Sequence, residues 1–273
     1  MALRWGILGT GNIANTFATA LKVAKKGSLV AVGSRSKSSA EAFGQTYGLE
    51  ASQCHGSYEA VLQDPAVDIV YICSPHPCHH AMALQAAAAK KHMLVEKPIA
   101  MTEAQVRDII KACQANNVFL MEAYMYRCHP QTRLLVDLVR AGDKIGQVKL
   151  IKANFSFDGR SLGPSSRLWR NELGGGAIMD IGGFPNLWRP DLTVLGPVQI
   201  EYKSHSKSEV EIIPVTMDET NLFAIEADAV ADALADEQLR ECKYMTLDDT
   251  LGQVRAMDQW RKEVGLRYQE DQD

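Results

Sequence analysis

Leu3-Arg-Trp-Gly-Ile-Leu8, running directly into Gly9-Thr10-Gly11-Asn12-Ile13-Ala14, is the stretch that decides the fold. The first six residues read as a short apolar strand, and from Asn12 the apolar residues Ile13, Phe17 and Leu21 recur at helical spacing. A Gly-rich turn between a strand and a helix has a specific use. Gly9 allows the chain to turn tightly, Gly11 lets the backbone come close to a pyrophosphate, and small Ala14 lets the helix lie against the strand, with the unpaired N–H groups of the helix start facing the anion. Thr10, Asn12 and Ile13 complete this loop and join Gly9 and Gly11 as candidate nucleotide contacts. A turn that serves only packing is the alternative, and it weakens once the second apolar strand, 28–33, completes a βαβ unit.

Outward from that unit the alternation continues. Helical patterns at 40–47, 58–62, 79–90 and 102–116 alternate with apolar strands at 67–73, 93–96 and 118–121, and Thr102 with Glu103 behind it marks a helix start. The order implies a parallel, doubly wound sheet in an α/β Rossmann domain spanning 1–122. Beyond it the rhythm changes. A helix at 130–141 closes on Gly142, 148–157 alternates like an antiparallel strand with one wet face, 199–203 and 209–214 read as a hairpin pair, and helices at 223–235 and 248–264 end the chain. Residues 123–273 are therefore expected to form a second, α+β domain with a mainly antiparallel sheet.

Length and charge agree with two domains and a small ligand. The chain has 273 residues and a formal net charge of -4, with no Lys/Arg run longer than two, so neither nucleic acid nor an anionic membrane is indicated as partner. The six cysteines are scattered rather than arranged as a disulfide scaffold, there is no leader-like start, and no apolar run is long enough to cross a bilayer. A cytoplasmic protein is the expectation.

Two loops bear on chemistry. A dinucleotide site that takes NAD usually carries an acid about 20 residues beyond the glycines, to bond the ribose hydroxyls. Here Gly33-Ser34-Arg35-Ser36-Lys37 has none before Glu41, and Ser34, Arg35 and Lys37 would instead hold a 2′-phosphate, which favours NADP over NAD. An ordinary solvated turn is the other reading. Ser74-Pro75-His76-Pro77-Cys78-His79-His80 follows the buried strand 67–73 and should cross the nicotinamide side of the crevice. Its three histidines and cysteine tempt a metal assignment, but no second ligand cluster stands at matching spacing. Ser74, Pro75, His76 and His79 are read as cofactor contacts, His80 as a packed or capping residue, and no metal is expected.

Glu96-Lys97-Pro98 closes the strand beginning at His92, at the carboxyl end of the sheet where open α/β folds bind ligands. Glu96 and Lys97 join the cofactor candidates. The Lys97 ammonium would hold a substrate hydroxyl or carbonyl beside the nicotinamide and favour an alkoxide-like transition state. A structural role, bonding carbonyls at the strand end, is its alternative.

Taken together, these motifs resemble the glucose-fructose oxidoreductase and inositol dehydrogenase (Gfo/Idh/MocA) family, which includes xylose and dihydrodiol dehydrogenases. The resemblance also rests on Met121-Glu-Ala-Tyr-Met-Tyr-Arg-Cys-His-Pro130, on Leu173-Gly-Gly-Gly-Ala-Ile-Met-Asp180-Ile-Gly182 and on the tail from Phe223 to Tyr268. It implies an NAD(P)-dependent hydride transfer to or from a sugar-like or diol substrate, catalytic roles for Lys97 and Asp180, and a homodimer built on the second sheet. One position departs. Family members usually place a His or Tyr four residues beyond the aspartate, as acid/base for the substrate oxygen, and this chain has Phe184, which has no titratable proton. The text after Gly183 also resembles a later part of the family's second sheet, as if an internal segment near 183–190 were missing. Two readings follow: an NADP-dependent oxidoreductase, or an NADP-binding relative that has lost catalysis and acts by binding.

Overall fold

The computed structural model describes residues 2–152, 156–184, 198–203, 209–218, 221–236 and 240–272. Its centre is a six-stranded parallel sheet in the order β3-β2-β1-β4-β5-β6. The strands are β1 (Leu3–Leu8), β2 (Gly27–Gly33), β3 (Cys54–His55), β4 (Ile69–Ile72), β5 (His92–Glu96) and β6 (Leu120–Ala123). Between them run helices α1 (Asn12–Leu21), α2 (Lys37–Tyr47), α3 (Tyr58–Gln63), α4 (His79–Ala88) and α5 (Glu103–Asn116). The strand order reverses between β1 and β4, so the loops leaving these two strands part and open a crevice at their carboxyl ends.

Continuous apolar runs build this sheet because both of its faces are covered. Ile69, Val70, Tyr71 and Ile72 of β4 are all fully buried. On one face Phe17 of α1 stacks on Tyr71 with ring centres 4.0 Å apart and meets Trp5 edge-on at 5.0 Å. Truncating Phe17 to Ala would cost about 3–5 kcal/mol in lost burial and cavity formation. The contact also carries position toward the crevice, since the Tyr71 hydroxyl donates to the Glu96 carboxylate at the end of β5. On the opposite face α4 and α5 contribute Met82, Ala83, Ala86, Val106, Ile109 and Ile110. Helix starts follow their capping residues: Ser36, Ser57 and Thr102 each accept from a backbone N–H three residues on.

The second half has a smaller sheet, of two strands, and leans on the first. Helices α6 (Met125–Cys128) and α7 (Pro130–Ala141) leave β6, and β7 (Gln199–Lys203) pairs antiparallel with β8 (Val210–Pro214) as a hairpin. The alternating stretch 148–157 does not form a strand among its described residues. Val148 and Leu150 are 41% and 71% exposed, so among the described residues no neighbouring strand covers the face that the alternation would bury. The junction expected at 183–190 lies outside the described residues beyond Phe184.

Helices α8 (Leu222–Ala235) and α9 (Leu247–Glu263) return to the parallel sheet. Asp228 of α8 accepts from the backbone N–H groups of Lys25 and Lys26 at 3.0 and 2.8 Å, satisfying donors at the turn before β2. Asp258 of α9 accepts from the N–H of Glu103 at 3.0 Å, and Arg255 bonds the Glu103 carboxylate at 2.9 Å. Buried Arg261 is held between Asp258 and Asp271 at 2.7 and 2.8 Å. The last two helices therefore brace the parallel sheet and its helices although they follow the expected boundary at 122 in sequence.

Candidate active site

The carboxyl ends of β1, β4 and β5 line a cleft of about 560 Å³ that reaches from Gly11, Asn12 and Ile13, past Cys73, Ser74, Pro75 and His76, to Glu96 and Lys97. Ser166, Arg167, Leu168 and Asp180 close it from the second half.

The glycine turn has the geometry its spacing implies. Gly9 has φ +129°, a backbone conformation that side-chain-bearing residues rarely adopt, and a Cβ there would stand 3.2 Å from the Cys73 sulfur. Gly11 differs. A Cβ at Gly11 would meet nothing within 4 Å, so the protein's own packing does not require glycine there, whereas a close ligand would. Gly11 is also the N-cap of α1 with no side-chain cap, and no acid sits in the first turn. The free N–H groups of that turn suit a pyrophosphate. Three buried polar atoms of cleft-lining residues, Ser74 Oγ, His76 Nδ1 and Arg167 Nη1, have no hydrogen-bond partner among the described residues, which again fits a polar ligand.

At the other end of the cleft Lys97 is pinned. Its Nζ donates to the Asp180 carbonyl at 2.5 Å and stands 3.5 Å from the Asp180 carboxylate. Arg167 donates to the same carboxylate oxygen at 2.8 Å. One acid thus holds two cations, and the lysine and aspartate are each only about one-seventh exposed, at 16% and 14%. Asp180 sits on the short helical turn Ile178–Gly182, directly after Gly174 and Gly176, whose φ values of +66° and +102° carry the chain around the cleft rim. Glu96 accepts from the Lys97 backbone N–H at 3.1 Å. Burial raises its carboxyl, partly offset by the Lys97 charge and the Tyr71 hydroxyl.

Not every residue singled out in the sequence faces the cleft. Lys37 donates to the carbonyls of Ala51 and Cys54, which turns its ammonium to the loop before β3. Ser34 is buried at the end of β2, and Arg35 is exposed beside it. His79 is fully buried, with Nδ1 2.9 Å from the Pro98 carbonyl and Nε2 2.8 Å from the Ser74 carbonyl. Burial lowers its proton affinity, against the two carbonyls, which raise it, and the ring lies between the Ser74 loop and the Lys97–Pro98 turn. It is not among the residues that line the cleft. His76 is also held neutral, chiefly by burial and then by its neighbour His79. His80 lies 3.6 Å from Asp108 on α5.

Phe184 lies under the lysine, its ring centre 5.0 Å from Nζ. It packs edge-on against Tyr124 and Tyr126, with centres 5.5 Å apart in both pairs. Tyr124, Tyr126 and His129, which do carry an exchangeable proton, are buried at 1%, 4% and 1% exposure and do not line the cleft. Ser166 and Arg167 are the residues that the sequence did not reveal. They lie in irregular turns without periodicity, and no local signal marks them.

A doubly wound sheet with a glycine turn facing a buried lysine–aspartate pair defines a dinucleotide-binding protein of the Rossmann class. Comparison with known proteins makes this specific: residues 3–124 match the GFO_IDH_MocA model, an oxidoreductase family with an NAD-binding Rossmann fold. Among curated relatives, it is 39% identical over 184 residues to trans-1,2-dihydrobenzene-1,2-diol dehydrogenase of Danio rerio, covering 67% of this chain and 53% of the relative. It is 36% identical over 203 residues to D-xylose 1-dehydrogenase (NADP(+)) of Hypocrea jecorina, covering 68% and 52%. The chain spans about half the length of these relatives. The fold matches that of the 3-ketoreductase KijD10 from Actinomadura kijaniata, solved with NADP and TDP-benzene, at TM-score 0.78 and 21% identity over 94% of this chain and 96% of that one. It also matches aldose-aldose oxidoreductase from Caulobacter crescentus at TM-score 0.75 and 20% identity over 98% and 99%.

Proposed function

We propose that this protein is an NADP-dependent oxidoreductase that moves a hydride between the nicotinamide and a carbinol or carbonyl carbon of a small sugar-like or diol substrate. The observation that carries the reading is the single cleft that joins the glycine turn to the Lys97–Asp180–Arg167 cluster. The names of the family relatives support it, since they include a diol dehydrogenase and an NADP-dependent xylose dehydrogenase.

The nicotinamide cofactor, when bound, supplies or accepts the hydride. Gly11, Asn12 and Ile13 would hold its pyrophosphate at the start of α1, Ser34 and Arg35 its 2′-phosphate, and Ser74, Pro75 and His76 the nicotinamide end. Lys97 would hold the substrate oxygen and stabilise the negative charge that grows on it as hydride leaves or arrives. Asp180 orients the ammonium, and Arg167 balances the aspartate. Phe184 has no proton to exchange, so the proton of the substrate oxygen passes through Lys97 Nζ, with the Asp180 carboxylate 3.5 Å behind it.

The six cysteines, none in a disulfide, support a cytoplasmic location, and among the described residues no helix is long and apolar enough to cross a membrane. Exposed Val210 and Ile212 on β8 support a homodimer.

Purified protein assayed with NADPH and NADP against a panel of aldoses, keto sugars and diols tests the reading. Turnover of at least one class is expected. Tight NADPH binding with no turnover of any would favour the binding-only reading.

A further inference from the structure

Helix α7 and the segment before α9 enclose a second hollow, of about 490 Å³, which shares no lining residue with the nucleotide cleft. Its charged lining is basic: Arg127, Arg133, Arg140 and Lys243 against Asp137. Arg127 is already used, bonded to Asp249 and to the Tyr244 carbonyl at 2.6 Å each. The others are not neutralised, since among the described residues no carboxylate comes within ion-pair distance of Arg133, Arg140 or Lys243. Tyr244 gathers two of them, with the Arg133 guanidinium 4.6 Å and the Lys243 ammonium 5.1 Å from its ring centre. Its hydroxyl accepts from Arg133 at 2.6 Å and so keeps its own proton to donate.

Thr132 adds an independent sign of a ligand. It lines the same hollow, is only 3% exposed, and its hydroxyl is shut from solvent without a hydrogen-bond partner among the described residues. A buried hydroxyl left in that state is costly. The hollow thus offers many donors and one carboxylate, and its three uncompensated cations exceed that carboxylate by two charges. A ligand with several acceptor oxygens and a double negative charge matches this balance, and planar guanidinium groups favour phosphate geometry. The volume falls within the range of roughly 300–1,000 Å³ typical of organic ligand sites and leaves room beyond one phosphate group. Asp137 can accept from a hydroxyl on the remainder.

We propose that this hollow binds a small phosphate monoester carrying a hydroxylated organic group. Calorimetric titration of the full chain with inorganic phosphate and with glycerol phosphate, at constant ionic strength, tests it. Saturable binding is expected, tighter for the ester, and unchanged when NADPH is also present. Lys243→Ala and Arg140→Ala should each weaken it by about tenfold, the worth of one charge-assisted contact, and leave NADPH affinity as it was. Thr132→Val separates a ligand role from a structural one: ester binding should weaken while thermal stability without ligand holds or rises. The proposal is overturned if no saturable signal is found up to ~10 mM, where affinity would amount to no more than about 3 kcal/mol. It is equally overturned if chloride at matched ionic strength reproduces the signal, or if the variants bind as the parent does.

Discussion

The Lys97 ammonium stands 5.0 Å from the centre of the Phe184 ring, so the position where the family usually keeps an acid/base holds a group that attracts the cation but cannot exchange a proton. A tyrosine hydroxyl at this position would extend from a ring already fixed by Tyr124 and Tyr126. Phe184→Tyr should therefore raise turnover by about 10², the lower range for a positioned proton donor. Steady-state kinetics on any substrate found in the panel measures it, and an unchanged rate would mean that Lys97 and Asp180 already suffice.

Lys97→Met removes the charge held beside Asp180 while keeping most of the side chain's length. Turnover should fall by about 10² or more, with NADPH affinity nearly unchanged, because the loss falls on the transition state rather than on cofactor binding. Fluorescence titration of NADPH beside the kinetic assay separates these effects. A variant that retains its rate would return Lys97 to the structural role of bonding the Asp180 carbonyl.

Arg35 is exposed at the end of β2, whereas the Lys37 ammonium is already bonded to two carbonyls. Arg35→Ala should weaken NADPH by about tenfold and leave NADH unaffected, as expected for one charge-assisted contact. Lys37→Ala should do much less. The preference for NADPH should shrink at high salt, since an exposed phosphate contact is screened. Equal affinities of the parent protein for the two cofactors would remove the 2′-phosphate assignment.

Glu122 on β6 is 2% exposed, and one of its oxygens accepts from the Ile99 N–H at 3.0 Å. Burial raises its carboxyl from the ordinary value near 4.5 to about 8. Between those two values the folded protein keeps a proton that the unfolded chain has released. Stability must therefore fall as pH rises across this interval and level off above about 8. Glu122→Gln keeps the acceptor oxygen and cannot ionise, so it should abolish on the order of 2–4 kcal/mol of that fall. Denaturant unfolding of parent and variant at the two ends of the interval checks it. Buried Glu96 and Glu226 shift in the same direction, so the comparison must be with the variant and not with the slope alone.

The local features of this chain could be read from its letters. The alternation of apolar strands and amphipathic helices, the cap at Thr102, the glycine turn after β1 and the lysine after β5 all rest on residues within a turn or two of one another. Local periodicity and backbone demands determine such features. The edge strand β3 escaped because two residues carry no period. Residues 148–152 carried the period of a strand and formed none, since a strand needs a neighbour to pair with and alternation alone does not provide one. The site itself was decided in three dimensions. Lys97 and Asp180 are 83 residues apart, Asp180 and Arg167 are 13 apart in irregular chain, and nothing in either segment specifies the other. The same holds for Asp228, which reaches Lys25 across 203 residues, and for Lys37 and His79, whose polar atoms found backbone carbonyls instead of the cleft. A sequence determines which faces must be buried and where the backbone must turn. Which charges then meet depends on how the finished elements dock, because an ion pair is specified by distance in space and not by distance along the chain.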